Sequence, residues 1–173
     1  MNNKIVLVGY MGVGKSTIGK MLAKKMNLNF LDLDEIIEKK ENSTIGDLFR
    51  LKGELYFRKL EHELFQTLIE SDDDFVLSTG GGTPCYYNNH LLLEKEQLNS
   101  VYLEAPVDTI YQRLINEQQQ RPVIKDLTID ELKEFIAKHI FERSYFYQKA
   151  KFKIKVRDKN IDEIVNEIKE CLL

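Results

Sequence analysis

Residues 4–26 read KIVLVGYMGVGKSTIGKMLAKKM, and no other stretch restricts the fold of the chain so much. After Lys4, the aliphatic run to Val8 ends at Gly9, which predicts a short buried strand. Beyond the glycines, Ile18, Met21, Leu22 and Met26 recur at the spacing of an amphipathic helix, predicted over 15–26. The connection between them, Gly9-Tyr-Met-Gly-Val-Gly14-Lys15-Ser16, fits G-x-x-x-x-G-K-[ST]. Glycines let such a loop curl until several N–H groups converge, and the helix N-terminus adds its dipole, so the connection is a cradle for phosphate. A match arising by chance in a chain of this length is on the order of 1%, and strand before and helix after are the context it needs. The alternative is a glycine-rich turn with a solvated lysine. The expected ligand is a nucleoside triphosphate with Mg²⁺, held by Gly12, Val13, Gly14, Lys15, Ser16 and Thr17. Lys15 supplies charge to the terminal phosphates and the Ser16 hydroxyl is a metal ligand.

The rest of the chain alternates in the same way. Strands are expected over 28–31, 75–78, 100–103 and 151–156. Helices are expected over 35–40, 44–50 with Ser43 at the cap, 89–95, 129–150 and 162–172. A longer helix after Gly53 carries Phe57, Leu60, Leu64 and Leu68 on one face, and another begins at Pro106. Strands separated by helices predict an α/β fold with a parallel sheet covered on both faces. With 173 residues and neither repeat nor linker, one domain over 1–173 is expected.

Composition narrows the function. A formal net charge of −3 gives no bulk electrostatic support for nucleic-acid binding. Cys85 and Cys171 provide neither a disulfide framework nor zinc-site spacing and are read as reduced thiols. No window approaches the roughly 18 apolar residues of a membrane span, and the N-terminal apolar run is too short for a signal peptide. A soluble cytoplasmic protein is expected, with no membrane or nucleic-acid partner.

In FLDLDE, Asp32 and Asp34 follow the second predicted strand, at the sheet edge where α/β proteins bind ligands. On an extended chain both would face the same cleft. Asp32, nearer the strand, suits Mg²⁺ alongside Ser16. Asp34 is of no use to phosphate, but it suits an alcohol acceptor, whose hydroxyl it could orient or deprotonate. Capping of the next helix is the competing use of the pair. Arg58, off the apolar stripe of its helix, has Glu61 three residues on; a solvated surface bridge is the alternative. In STGGGTP, Gly80, Gly81 and Gly82 would let backbone N–H groups approach a ligand, or merely form a tight loop. The polar loop 116–128 contains EQQQRP, and Arg121 there suits a lid closing over the γ-phosphate. Arg143, in ERSYFYQKA, lies late in a long helix. Both arginines could instead be solvated.

In order, the elements GxxxxGKST, DLD, FRKLE, STGGG, the RP loop and R-x-x-x-Y resemble the shikimate kinase family along nearly the whole chain. The resemblance implies ATP-dependent phosphorylation of the shikimate 3-hydroxyl, in chorismate and aromatic amino-acid biosynthesis. It implies the nucleoside-monophosphate-kinase branch of the P-loop fold, with a five-stranded parallel sheet in the order 2-3-1-4-5. It casts Asp34, Arg58, Gly81 and Arg143 as shikimate contacts within an acceptor segment of about 32–62 and the later helix. Lys15 and Arg121 become phosphate and transition-state contacts, Arg113 lies near adenine, and Ser16 and Asp32 lie near Mg²⁺. A monomer is implied. Two departures stand: Tyr145 occupies a position where the family commonly has proline, and 157–160 matches the adenine-side pattern poorly, so no stacking residue is assigned there.

Competing classes are another small-molecule P-loop kinase, such as a gluconate or nucleoside monophosphate kinase, and a GTP-binding switch. Asp34 would repel an acceptor that already carries phosphate. Arg58 with the glycine triplet separates the chain from gluconate kinases. An N-K-x-D guanine reader is absent.

Overall fold

All five residues of β1 (Lys4–Val8) are buried, as an aliphatic run requires when both sheet faces are covered. The structure is a computed structural model that describes residues 3–118 and 123–172. Four more parallel strands, β2 (Asn29–Asp32), β3 (Phe75–Ser78), β4 (Leu98–Glu104) and β5 (Phe152–Lys155), join β1 in the order β2-β3-β1-β4-β5. This is the expected order, with β1 central. The helices are α1 (Lys15–Met26), α2 (Leu33–Glu41), α3 (Ile45–Glu70), α4 (Asn89–Leu92), α5 (Val107–Glu117), α6 (Ile129–Tyr147) and α7 (Ile161–Leu172), with a 3₁₀ turn at Thr83–Cys85. The core joins the strand residues to Leu22, Phe65, Ile110, Leu114, Ile136 and Ile168 from the helices. Among the described residues, no helix is long and apolar enough to cross a membrane.

Register positions the site. Asp32 pairs with Ser78, and Ser78 pairs with Leu7, so the carboxyl ends of β2, β3 and β1 lie level beside the Gly9–Gly14 loop. Lys4, although charged, is only 2% exposed, because its ammonium bonds the carbonyls of Ile69 and Ser71 at the end of α3. It supplies the cation that the last turn of this helix lacks.

Several boundaries differ from expectation for local reasons. The cap of α3 is Thr44, not Ser43: its hydroxyl accepts from the Asp47 amide at 3.1 Å. Gly53 does break the helix as expected: its φ of 81° and ψ of 168° divide α3 into a short arm before it and a longer arm after it. The helix expected over 89–95 keeps one turn, α4. Most relevant, α2 begins at Leu33 because Asp32 caps it, so Asp34 lies in a first helical turn, not on extended chain.

Candidate active site

The phosphate loop is built as its glycines predict. Lys15, 8% exposed, donates from Nζ to the carbonyl oxygens of Gly9 at 2.7 Å and Tyr10 at 3.1 Å. From α5, Nη1 of Arg113 donates to the carbonyl of Val13 at 2.7 Å. These cations hold the loop carbonyls and brace the curl of the loop. Gly12, Gly14, Lys15, Ser16 and Thr17 line a cavity of about 260 Å³ at the N-terminus of α1, and Gly12, Gly14 and Thr17 also line the cavity next to it. That neighbour, about 430 Å³, is walled by Val13, Arg113, Lys159, Ile161 and Ile164. Arg113 there lies beside the phosphate loop. The cavity also brings in Lys159 and α7, which 157–160 did not disclose.

Asp32 caps the next helix, the competing use of the acidic pair, and at the same time reaches the phosphate loop. One oxygen of Asp32, Oδ1, accepts from the Asp34 amide at 3.1 Å and caps α2. The other, Oδ2, accepts from the Ser16 hydroxyl at 2.8 Å. Ser16 also lies 3.2 Å from the Ser78 hydroxyl. Two oxygens converging at the mouth of a phosphate cradle fit Mg²⁺, a cation commonly held by one or two carboxylates together with substrate phosphates and water. Asp34 is half-buried in the same cavity. Burial, then the Glu61 and Asp32 carboxylates, push its pKa up to about 6.

A third cavity, about 200 Å³, opens beyond Asp34. Arg58, Glu61 and Arg143 line it, with Phe49, Phe57 and the glycines 80–82. Four residues, Met11, Asp34, Gly80 and Gly81, belong to both this cavity and the phosphate cavity. Arg58 is not a surface bridge. Its side chain is 11% exposed, Nη1 lies 2.9 Å from Oε2 of Glu61, and its guanidinium lies 4.1 Å from the Tyr86 ring centre. Arg143 comes from α6 with its guanidinium 5.7 Å from the Tyr10 ring centre.

The glycine triplet is locked into this frame. A side chain on Gly82 would meet Arg58 Nη2 at 2.7 Å, and one on Gly81 would meet the Met11 amide nitrogen at 3.2 Å. Behind the loop runs a buried polar chain. Glu61, fully buried, accepts from the Thr83 hydroxyl at 2.7 Å, and Asn89 donates to the Thr83 carbonyl at 2.8 Å. The buried Tyr147 hydroxyl donates to the Gly81 carbonyl. Sequence reasoning named Glu61 only as a brace for Arg58, and missed Ser78, Thr83, His139 and Tyr147 as site residues. One signal existed: Glu61 lies four residues from both Phe57 and Phe65, on the apolar stripe itself, where a carboxylate needs a buried partner. Arg121 and Pro122 lie outside the described residues.

A phosphate cradle opening directly onto a small cation-ended cavity, at the carboxyl edge of a 2-3-1-4-5 sheet, defines a P-loop kinase of the nucleoside-monophosphate-kinase branch. A family model described as shikimate kinase matches residues 11–173. The shikimate kinase of Flavobacterium johnsoniae is 51% identical over 169 residues, 98% of each chain. The crystal structure of shikimate kinase from Bacteroides thetaiotaomicron superposes with a TM-score of 0.90 at 37% identity, covering 98% of this chain and 97% of that one. Shikimate kinase from Acinetobacter baumannii, solved in complex with shikimate, gives 0.87 at 29% identity, covering 99% and 93%. The chain belongs to the shikimate kinase family.

Proposed function

We propose that the protein transfers the γ-phosphoryl group of ATP to the 3-hydroxyl of shikimate, releasing ADP and shikimate 3-phosphate. The observation that carries this reading is the position of Asp34, on the boundary between the phosphate cavity and the cavity that holds Arg58 and Arg143. An acceptor with a carboxylate at one end and hydroxyls at the other fits that polarity. Arg58 and Arg143 clamp the carboxylate by paired hydrogen bonds. Asp34 and the N–H groups of Gly80, Gly81 and Gly82 take the hydroxyls. At about 200 Å³ the cavity is smaller than the roughly 300–1,000 Å³ of typical ligand pockets. That size favours a single-ring acid over a nucleotide acceptor.

Catalysis is then positioning and charge neutralisation. Gly12, Val13, Gly14 and Thr17 hold the phosphates, and Lys15 stabilises the charge on the group in transfer. Arg113 borders the nucleoside side. Ser16 and Asp32 would hold Mg²⁺, which when bound neutralises charge on the terminal phosphates. Asp34, with a pKa raised to about 6, is ionised at neutral pH yet basic enough to draw the proton from the attacking hydroxyl. Arg121, proposed on the family pattern alone, closes over the γ-phosphate from a lid at about 116–128. The chain acts as one domain over 1–173, with an acceptor segment at about 32–62, as a cytoplasmic monomer.

The test is a coupled ADP-release assay with shikimate, run with and without Mg²⁺ and with gluconate in parallel. Shikimate- and Mg²⁺-dependent release is the expected result. Release driven by gluconate and not by shikimate would reverse the acceptor assignment.

A further inference from the structure

We propose that His139 is a specificity-determining residue of the acceptor cavity: its imidazole, oriented by Tyr10, presents an Nε2–H donor to the carboxylate end of the acceptor, beside Arg143. The proposal rests on the acceptor assignment above. No motif of the family resemblance contains His139.

The geometry comes from three elements. His139 lines the cavity of Arg58 and Arg143, and lies four residues before Arg143 on α6, so the two share one helix face. One turn earlier, Phe135 backs the imidazole with ring centres 4.0 Å apart. From the phosphate loop, the Tyr10 hydroxyl lies 3.3 Å from Nδ1. Tyr10 is 3% exposed, and the Arg143 guanidinium beside its ring strengthens the phenol as a donor.

A phenol O–H given to Nδ1 fixes the tautomer: the ring proton is then on Nε2. Among the described residues Nε2 has no hydrogen-bond partner. Burial, and then the Arg143 charge, hold the imidazole below its usual pKa, so it is neutral at pH 7 and carries one donor. Two arginines bind a carboxylate tightly but leave the ring free to pivot about their shared axis. A lateral donor one helical turn away removes that freedom. It also gives the cavity a group that a leucine of similar bulk would lack.

Steady-state kinetics at pH 7 on the intact chain separate this role from packing. His139→Leu should raise KM for shikimate about tenfold, the equivalent of one lost hydrogen bond. KM for MgATP and kcat should stay within about twofold. His139→Gln, whose amide nitrogen reaches the Nε2 position, should recover most of the loss. Equal effects of the two variants, an unmoved KM for shikimate, or a parallel rise in both KM values would overturn the proposal. Nitrogen NMR of the wild-type imidazole adds an independent readout: an Nε2-protonated ring whose Nε2 signal moves on shikimate addition is expected. An Nδ1-protonated ring would overturn it. Absence of shikimate-dependent turnover in the wild-type protein would remove the acceptor assignment itself, and the proposal with it.

Discussion

Arg58 places Nη1 2.9 Å from Oε2 of Glu61, a carboxylate with no exposed surface. The pair is therefore a buried one whose two halves do different work: the cation faces the cavity, and the anion holds the cation and Thr83. Arg58→Ala should weaken shikimate binding by roughly 2–5 kcal/mol, because it removes one clamp of a desolvated charge. It should also destabilise the fold by about 3–5 kcal/mol, since Glu61 is left buried without its cation. Isothermal titration with shikimate and urea denaturation measure the two losses separately. Weaker binding with unchanged stability would mean that Glu61 finds another partner.

Asp34→Asn should leave ATP affinity nearly intact and lower kcat by orders of magnitude, because the carboxylate faces the acceptor. The sign of its pH dependence follows from the raised pKa. Activity needs ionised Asp34, so kcat/KM for shikimate should rise as pH increases through about 6 and fall away below it. Stability runs the other way. The folded protein holds this proton more tightly than the unfolded chain, so the carboxylate costs stability as pH rises from about 4 to about 6. Asp34→Asn should accordingly be up to about 3 kcal/mol more stable than the parent at pH 7, and no more stable at pH 3. Thermal melts at both pH values test this. Loss of ATP binding in Asp34→Asn would show that the two aspartates have been divided wrongly.

Asp32 carries a cap on one oxygen and Ser16 on the other, and two substitutions separate those duties. Asp32→Ala should cost about 1 kcal/mol of stability, a drop of roughly 2–4 °C in Tm, through loss of the cap. Asp32→Asn caps as well as aspartate and should melt with the parent. Both should raise the Mg²⁺ concentration needed for half-maximal rate. Equal Mg²⁺ dependence in parent and Asp32→Asn would remove Asp32 from the metal site.

Gly82→Ala would place a methyl group 2.7 Å from Nη2 and 2.9 Å from Nη1 of Arg58. The guanidinium must move, and it is wedged between Glu61 and Tyr86. KM for shikimate should rise at least tenfold, in keeping with a displaced clamp. KM for MgATP should change little, since Gly82 does not line the phosphate cavity. A parallel rise in both would point to collapse of the whole triplet loop.

Local pattern carried much of this. β1, α1 and β3 begin and end where hydrophobic run, glycine and helical spacing placed them, because each is a central element with a single compatible burial pattern. Of the predicted site residues, Gly12, Gly14, Lys15, Ser16, Thr17, Asp32, Asp34, Arg58, Gly80–Gly82 and Arg143 line the phosphate cavity or the one that adjoins it at Asp34, while Val13 and Arg113 line the cavity of about 430 Å³ beside the loop. One miss was local: the cap that Asp32 forms on the Asp34 amide, two residues away, starts α2 directly after β2 and takes Asp34 off extended chain. The others depended on contacts distant in sequence. Thr83, His139 and Tyr147 take their places from partners at 61, 10 and 81, separations that no periodicity reports. Lys159 comes to the cavity lined by Arg113 because α7, which follows it, packs against α1.

The break in α3 lies between two arms with different surroundings. Before Gly53, the arm bearing Ile45 and Phe49 roofs the acceptor cavity; after it, the arm bearing Phe57, Phe65 and Ile69 is bolted into the core. A side chain at Gly53 would find nothing within 4 Å, so only its left-handed torsion reserves the position for glycine. One cavity is therefore walled from both sides of a single backbone joint, by Ile45 and Phe49 before it and by Phe57, Arg58 and Glu61 after it.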